Sequence, residues 1–253
     1  MKHIVITGAA DGIGKALATR YARAGWHVTG IDINSPRAMQ TQAEIRDNGG
    51  EITFIIADLS DTDAITHTIE RLTAGEKIDI FVNNAGINEF DRFRRSDLPQ
   101  QEKVIDVNFL APMLLTAGLL NAETVRHGGT LVFVSSLAHF VRYPGAPVYA
   151  ATKDGIASYA RSLRVALAPQ NIHVLTVYPG PTRTEHARRY SPTNGREHRR
   201  MAPAKVAEMV YKAVESQQSI LIPGTANRLF AIFGRVLPGL VNRVMKRTLL
   251  DKI

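Results

Sequence analysis

The chain has 253 residues, 45% of them apolar, which is enough for one large hydrophobic core, so a single domain is expected. It contains no cysteine, which excludes a disulfide scaffold and cysteine-based metal sites and fits a reducing, cytoplasmic compartment. The net charge of +8 is concentrated in residues 183–205 and 225–253, each carrying +5, while the remainder is slightly acidic; without interleaved aromatic and basic residues, a nucleic-acid partner is not expected.

The N-terminal "MKHIVITG" runs straight into an apolar segment and a turn, so a signal peptide is not expected, nor is a membrane-spanning helix of ~20 apolar residues. Short apolar runs then alternate with segments of helical period. "HIVIT" precedes "GIGKALATRYARAG" and "HVTGI". "ITFIIA" precedes "DAITHTIERLTAG" and "IDIFV". "TLVFVS" precedes a helical segment over 149–168 and "HVLTVY". A helix near 203–216 and "SILI" come last. Strands rich in Val and Ile that are apolar throughout suit a parallel sheet covered on both faces. The pattern predicts an α/β fold, a Rossmann-like doubly wound parallel sheet of about seven strands with helices on both faces, plus a C-terminal helical extension. Residues 1–224 form the catalytic domain and 225–253 an extension of it. Ligands of such sheets bind outside the carboxyl ends of the strands, so polar and glycine motifs at those ends carry weight.

The first such end carries "TGAADGIG", with Gly8, Gly12 and Gly14 between the first strand and the first helix. Glycines there permit a tight turn and close approach of backbone to a pyrophosphate, whose charge the helix N-terminus favours. A plain strand-to-helix turn would read the same; the position in the chain favours a dinucleotide. Asp32 ends the second strand. A carboxylate there accepts hydrogen bonds from the ribose hydroxyls of NAD and repels a 2′-phosphate. Ile33 follows it, and Asp11 occupies the glycine turn where a phosphate binder would place a cation. NAD(H) is therefore favoured and NADP(H) not excluded, Arg37 being the nearby residue that could reverse the preference.

Tyr149 and Lys153 stand four apart at the start of a helix, after a strand that ends in Ser135 and Ser136. Residues so spaced share one helix face, their Cβ atoms about 5–6 Å apart. A free phenol, with a pKa of ~10, is a poor acid/base near neutrality, and lowering it by three units takes about 4 kcal/mol. One cation at ~4 Å in an effective dielectric of ~20 supplies about that much. By spacing alone the pair would be a surface Tyr and Lys on an amphipathic helix; the serines and the nucleotide turn give it a catalytic context.

Taken together, "TGAADGIG", Asp58 in "ADLS", "NNAG" at 83–86, Asn108 in "DVNFLAP", Ser136, "YAATK" at 149–153 and "YPGPTRT" at 178–184 resemble the short-chain dehydrogenase/reductases in their compact single-domain branch. The resemblance covers about residues 2–222, and Ser136 lies thirteen residues before Tyr149, the family's spacing. It implies hydride transfer between NAD(P)(H) and a secondary alcohol or a carbonyl. Tyr149 would be the acid/base, Lys153 would lower its pKa and bind the nicotinamide ribose, Ser136 would hold the substrate oxygen, and Asn108 would keep a water behind Lys153. Ser135 would be structural. The implied cofactor set is Gly8, Asp11, Gly12, Ile13 and Gly14 along the phosphates, Asp32 on the ribose, and Asp58 and Leu59 at the adenine. Asn84, Ala85 and Gly86 would form the floor, with Tyr149 and Lys153, and Pro179, Gly180, Thr182 and Thr184 would lie by the nicotinamide. A homo-oligomer, dimer or tetramer, is also implied.

The chain departs from that pattern after residue 222. Leu229, Phe233, Val236, Leu237, Leu240 and Val244 fall at helical spacing, flanked by Arg228, Arg235, Arg243, Lys246 and Arg247, with Gly234 and Pro238 expected to divide two short helices. Three readings stay open: helices packed on the core or a partner subunit, a basic amphipathic element on an anionic membrane, or a lid over a long apolar substrate. Residues 183–203 form the expected substrate lid. Its arginines could be a solvated face or could attract an acidic carrier. His186 and His198 are expected to face solvent, and no metal is expected. The substrate is a small or carrier-bound molecule, with a lipophilic one favoured by the C-terminal third. The competing functions are a non-catalytic dinucleotide sensor, which could dispense with Tyr149, and a sugar-nucleotide epimerase, which would need a larger C-terminal domain.

Overall fold

A computed structural model describes residues 1–91, 95–141, 143–190 and 197–248. Its centre is a seven-stranded sheet, parallel throughout, in the order β3-β2-β1-β4-β5-β6-β7. The strands are β1 (His3–Thr7), β2 (His27–Asp32), β3 (Ile52–Ile56), β4 (Ile78–Asn83), β5 (Val125–Val134), β6 (His173–Val177) and β7 (Ile220–Leu221). The central strands are buried on both faces, which is why they read as continuous apolar runs. At the edge, β3 is only partly buried, with Thr53 and Ile56 exposed.

Strand residues of opposite parity feed two cores. On one face Ile4, Ile6, Val28, Ile80 and Val82 meet Leu17 and Tyr21 of α1 (Gly12–Ala22) and Val206 and Val210 of α8 (Pro203–Glu215). On the other, Val5, Ile31, Phe81, Leu131 and Phe133 meet α3 (Thr62–Thr73), α5 (Ala111–Asn121) and α6 (Pro147–Ala166). Between β2 and β3 lies α2 (Ser35–Asp47), capped by the Asn34 side chain, which accepts from the Arg37 amide. The order reverses between β1 and β4. There the carboxyl ends diverge and open the crevice in which this architecture holds ligands.

Leading into α5, α4 (Leu98–Ile105) passes through a π-helical turn over Asp106–Leu110, giving a continuous helical run Leu98–Asn121. Against the sequence expectation, this run is long and apolar enough to cross a membrane by length and composition. It packs against α3 and α6 with just under half of its most apolar stretch buried, and length and composition alone carry no argument for a span. After β6 come α7 (Glu185–Arg189) and α8, and after β7 the chain adds α9 (Thr225–Val236) and α10 (Pro238–Thr248). Pro238 opens α10 as expected, but Gly234 does not divide the helices. It lies inside α9, where a Cβ would come within 2.1 Å of the Phe140 carbonyl oxygen. The glycine is there for close approach of the helix to the loop after β5.

Candidate active site

A cavity of about 920 Å³ lies across the carboxyl ends of β1 to β6. Asp32, Asp58 and Leu59 line one end of it, and Ser136, Tyr149 and Lys153 the other. The glycine turn forms the wall between them. Gly8 has φ +66°, the left-handed region, and a Cβ on Gly14 would lie 2.0 Å from the Gly8 carbonyl oxygen, so the turn closes only without side chains. Asn84 locks it from below: its Nδ2 donates to the Thr7 carbonyl (2.9 Å), while the Thr7 hydroxyl accepts from the amides of Asn84 and Ala85 (2.9 Å each).

At the end of β2, the Asp32 carboxylate accepts from the Ala10 amide at 2.9 Å and the Asn34 amide at 3.0 Å, which pins it beside the turn. Arg37 does not approach it. Its guanidinium reaches Asp11 at 3.3 Å, so the residue that could have reversed the cofactor preference is engaged with the turn's own acid. Burial raises the pKa of Asp58, but the amide and hydroxyl of Ser60 and the Lys103 ammonium outweigh it and hold the carboxyl below its ordinary range. With Ile13, Ala85, Gly86, Pro179, Gly180, Thr182 and Thr184 also on the wall, every residue of the expected cofactor set except Gly14 lines the cavity. Gly14 sits in the first turn of α1 beneath it. A turn closed by glycines at a helix N-terminus, with a carboxylate at the next strand end, fits a dinucleotide.

At the other end, the spacing of Tyr149 and Lys153 puts both on the cavity face of α6. Lys153 is 5% exposed, and its ammonium donates to the Val134 carbonyl at 3.0 Å and lies 5.8 Å from the centre of the Tyr149 ring. Burial lowers its pKa to about 8. The phenol departs from expectation. Burial pushes the Tyr149 pKa up, and the nearby Ser136 hydroxyl only partly offsets this. Lys153 is aimed at a backbone carbonyl, so its charge does not reach the phenol as a direct partner. The Ser135 hydroxyl donates to the Lys153 carbonyl at 2.8 Å, a structural tie between β5 and α6.

Asn108 sits in the π-helical turn, an irregularity that recurs at functional sites. Its amide accepts from the Ile87 N–H (2.8 Å) and donates to the Ile87 carbonyl (2.9 Å) and the Thr152 hydroxyl (3.2 Å). It thus clamps the loop after β4 to α6.

Sequence reasoning missed or misplaced several wall residues. His186, expected in solvent, lines the cavity with its ring 6.1 Å from that of Tyr149, and burial lowers its pKa to about 4. Its position in the first turn of α7, capped by the Thr184 side chain, was the available signal. His198 is exposed, as expected. Asn88 is 3% exposed, and its Oδ1 has no partner among the described residues. Phe230 of α9 and Met245 of α10 also line the cavity, as do Tyr143 and Arg200. One cluster of potential metal ligands stands apart from the cavity, His3, His27 and Glu76 at the opposite end of the sheet. There the two imidazoles stack at 4.6 Å, as side chains paired across a parallel ladder do.

This geometry agrees with the comparisons. The short chain dehydrogenase family model matches residues 2–195, and the chain belongs to the short-chain dehydrogenase/reductase family. A cyclopentanol dehydrogenase of Comamonas sp. (strain NCIMB 9872) is 32% identical over 180 residues, 71% of this chain and 72% of that protein. The human dehydrogenase/reductase SDR family member 4 is 32% identical over 192 residues, 74% of this chain and 68% of that protein. Among solved structures, a short-chain dehydrogenase from Sphingobium yanoikuyae in complex with NADPH superposes with a TM-score of 0.80 at 26% identity, covering 96% of each chain. The protein is an NAD(P)-dependent oxidoreductase acting on CH–OH groups.

Proposed function

We propose that the protein interconverts a lipophilic secondary alcohol and its ketone, with NAD(H) as the preferred cofactor and Tyr149 as the acid/base. The observation that carries the reading is the meeting of the Tyr149 phenol, the Ser136 hydroxyl and the Lys153 ammonium at one end of a cavity whose other end is the glycine turn and Asp32. The nicotinamide supplies the hydride chemistry. Ser136 donates a hydrogen bond to the substrate oxygen and fixes it within reach of the phenol. In reduction, the Tyr149 hydroxyl gives its proton to that oxygen as charge develops, and a phenol with a raised pKa is fully protonated for this step. Lys153, held by Val134 with its ammonium 5.8 Å from the phenol ring, acts on the phenolate that forms as a nearby charge and not as a hydrogen-bond partner.

The cofactor preference rests on Asp32. Its carboxylate is fixed where the adenosine ribose would lie, no cation pairs with it among the described residues, and a 2′-phosphate there would meet like charge. A lipophilic substrate is favoured by the wall in front of Tyr149, where Val141, Tyr143, Phe230 and Met245 supply apolar surface and Asn88 is available for a second polar group. Exposed Leu98, Ile105 and Val165 on α4 and α6 offer a second copy of the chain an apolar face, in support of a homo-oligomer.

Steady-state oxidation of a panel of secondary alcohols with NAD and with NADP tests the reading. The expected outcome is a higher kcat/KM with NAD. Tyr149→Phe should lose roughly 10²–10⁴-fold in kcat while its NADH affinity, read by fluorescence, changes far less. A Phe variant that keeps most of kcat would remove the acid/base assignment, and equal kcat/KM for both cofactors would remove the NAD preference.

A further inference from the structure

The two C-terminal helices have two apolar faces, and the cavity uses only one. Facing inward, Ala226, Asn227 and Phe230 of α9 and Met245 of α10 line the cavity, and Val241 and Met245 bury themselves against Val141 of the loop after β5. Facing outward, Leu229, Ile232, Phe233 and Val236 follow the i, i+3, i+4, i+7 pattern of one helix stripe, and Leu237 and Leu240 extend it to the start of α10. These six side chains are between 46% and 68% exposed, which makes a contiguous apolar patch of a kind that marks an interaction site. The charged side chains of the two helices are all basic. Arg228, Arg235, Arg243, Lys246 and Arg247 are all exposed, and residues 225–248 contain no acid.

We infer that this outer face docks on an anionic phospholipid bilayer and that the cavity behind it takes a membrane-partitioned alcohol or ketone. The inference rests on the oxidoreductase reading above for the chemistry and on the surface alone for the docking. Charge selects the occupant. A second copy of the chain meeting the same patch about a two-fold axis would set these basic side chains against their own copies. An anionic bilayer matches both parts at once, headgroups against the basic rim and acyl chains against Leu229, Phe233 and Val236. Because the same helices wall the cavity, docking sets the apolar end of the active site beside the membrane. A water-insoluble substrate could then pass from lipid to Tyr149 without crossing water.

Flotation of the full-length protein with phosphatidylcholine vesicles, with and without phosphatidylglycerol, tests the docking independently of catalysis. Binding should require phosphatidylglycerol and weaken from low to physiological salt, where the Debye length is ~8 Å. Arg243→Gln, Lys246→Gln and Arg247→Gln should each weaken it by roughly fivefold. Phe233→Asp, outside the cavity, should abolish binding while leaving turnover of a small soluble alcohol unchanged. It should also remove any gain in kcat/KM that vesicles give toward a long-chain secondary alcohol. Absence of flotation at low salt, or binding indifferent to phosphatidylglycerol, overturns the inference. So does a change in sedimenting mass in Phe233→Asp, which would assign the face to a second copy. Should that variant fail to fold, Phe233→Trp carries the test: its emission must shift to the blue on anionic vesicles, and an unshifted spectrum overturns the docking. A protein that floats but turns over no alcohol would count against the catalytic reading alone, and one that turns over alcohols without floating against the docking alone.

Discussion

Lys153 is the residue whose chemistry and stability pull in opposite directions. Its folded pKa of about 8 lies below the ordinary 10.5, so folding penalises its proton. The sign follows from linkage. Below pH 8 both folded and unfolded chains carry the charge and the penalty is full. Between pH 8 and 10.5 the folded chain releases its proton and the penalty shrinks, and above 10.5 it is gone. A shift of this size corresponds to about 3 kcal/mol at most, from which the lost bond to the Val134 carbonyl subtracts about 1 kcal/mol. Lys153→Met should therefore abolish turnover and stabilise the cofactor-free protein at pH 7 by about 1–2 kcal/mol. Urea unfolding of both proteins at neutral and alkaline pH is the check. The gap should narrow as pH rises towards 10; a variant less stable than the parent at pH 7, or a gap that ignores pH, would show that the buried ammonium is better accommodated than its surroundings indicate.

Among the elements, α9 carries the most information per residue. Two close approaches dock it on the catalytic loops. The Asn227 side chain lies where a Cβ on Gly180 would stand, and Gly234 rests on the Phe140 carbonyl. Helix propensity says that Gly→Ala inside a helix stabilises by about 1 kcal/mol. At Gly234 the packing says the reverse, because the added methyl would stand 2.1 Å from a backbone oxygen that no rotamer change can move. Gly234→Ala should lower stability by about 1–3 kcal/mol, the usual cost of overpacking, and raise KM for the larger alcohols by displacing Phe230 from the cavity wall. Thermal melts and KM values across an alcohol series read both effects. A rise in Tm would mean that α9 is not held at this distance from Phe140.

At the scale of the whole molecule, the two main cores include no residue beyond Leu221, and the C-terminal helices pack as a small separate cluster around Val141. Folding and cofactor binding are thus physically separate from the shaping of the substrate end. A chain truncated after Gly224 should unfold cooperatively and bind NADH within several-fold of the parent, since Asp32, the glycine turn and Lys153 keep their supports. Its kcat/KM should fall by more than tenfold for bulky apolar alcohols and less for small ones, because about 0.8 kcal/mol of contact is lost per methylene no longer covered. Circular dichroism, NADH titration and a substrate series decide this. Loss of NADH binding would show that α9 supports the nucleotide end as well, through Asn227 and Gly180.

How much of this was legible in the sequence depends on the range of the interaction. Hydrophobic pattern fixed strand and helix types because burial on both faces makes a short run apolar throughout, while burial of one helix face is written into every third and fourth residue. Glycine chemistry and the ends of strands marked the nucleotide turn, and the four-residue spacing placed Tyr149 and Lys153 on one face, since both depend on neighbours in the chain. What depends on residues far apart was not legible. His186 reads as one more polar residue in a charged loop, and only the folding of α7 beside Gly86 and Tyr149 brings it to the cavity. The raised pKa of Tyr149 comes from burial by the whole site, and the aim of Lys153 at Val134 is set by β5, neither of which spacing encodes. Gly234 reads as a helix breaker until the Phe140 carbonyl is found against it. The sequence by itself determined the sheet, the glycine turn after β1 and the shared helix face of Tyr149 and Lys153, because local backbone and burial patterns suffice for them. Only the tertiary structure decided which face of the C-terminal helices closes the cavity and which faces outward, because that choice is made by contacts between segments about a hundred residues apart.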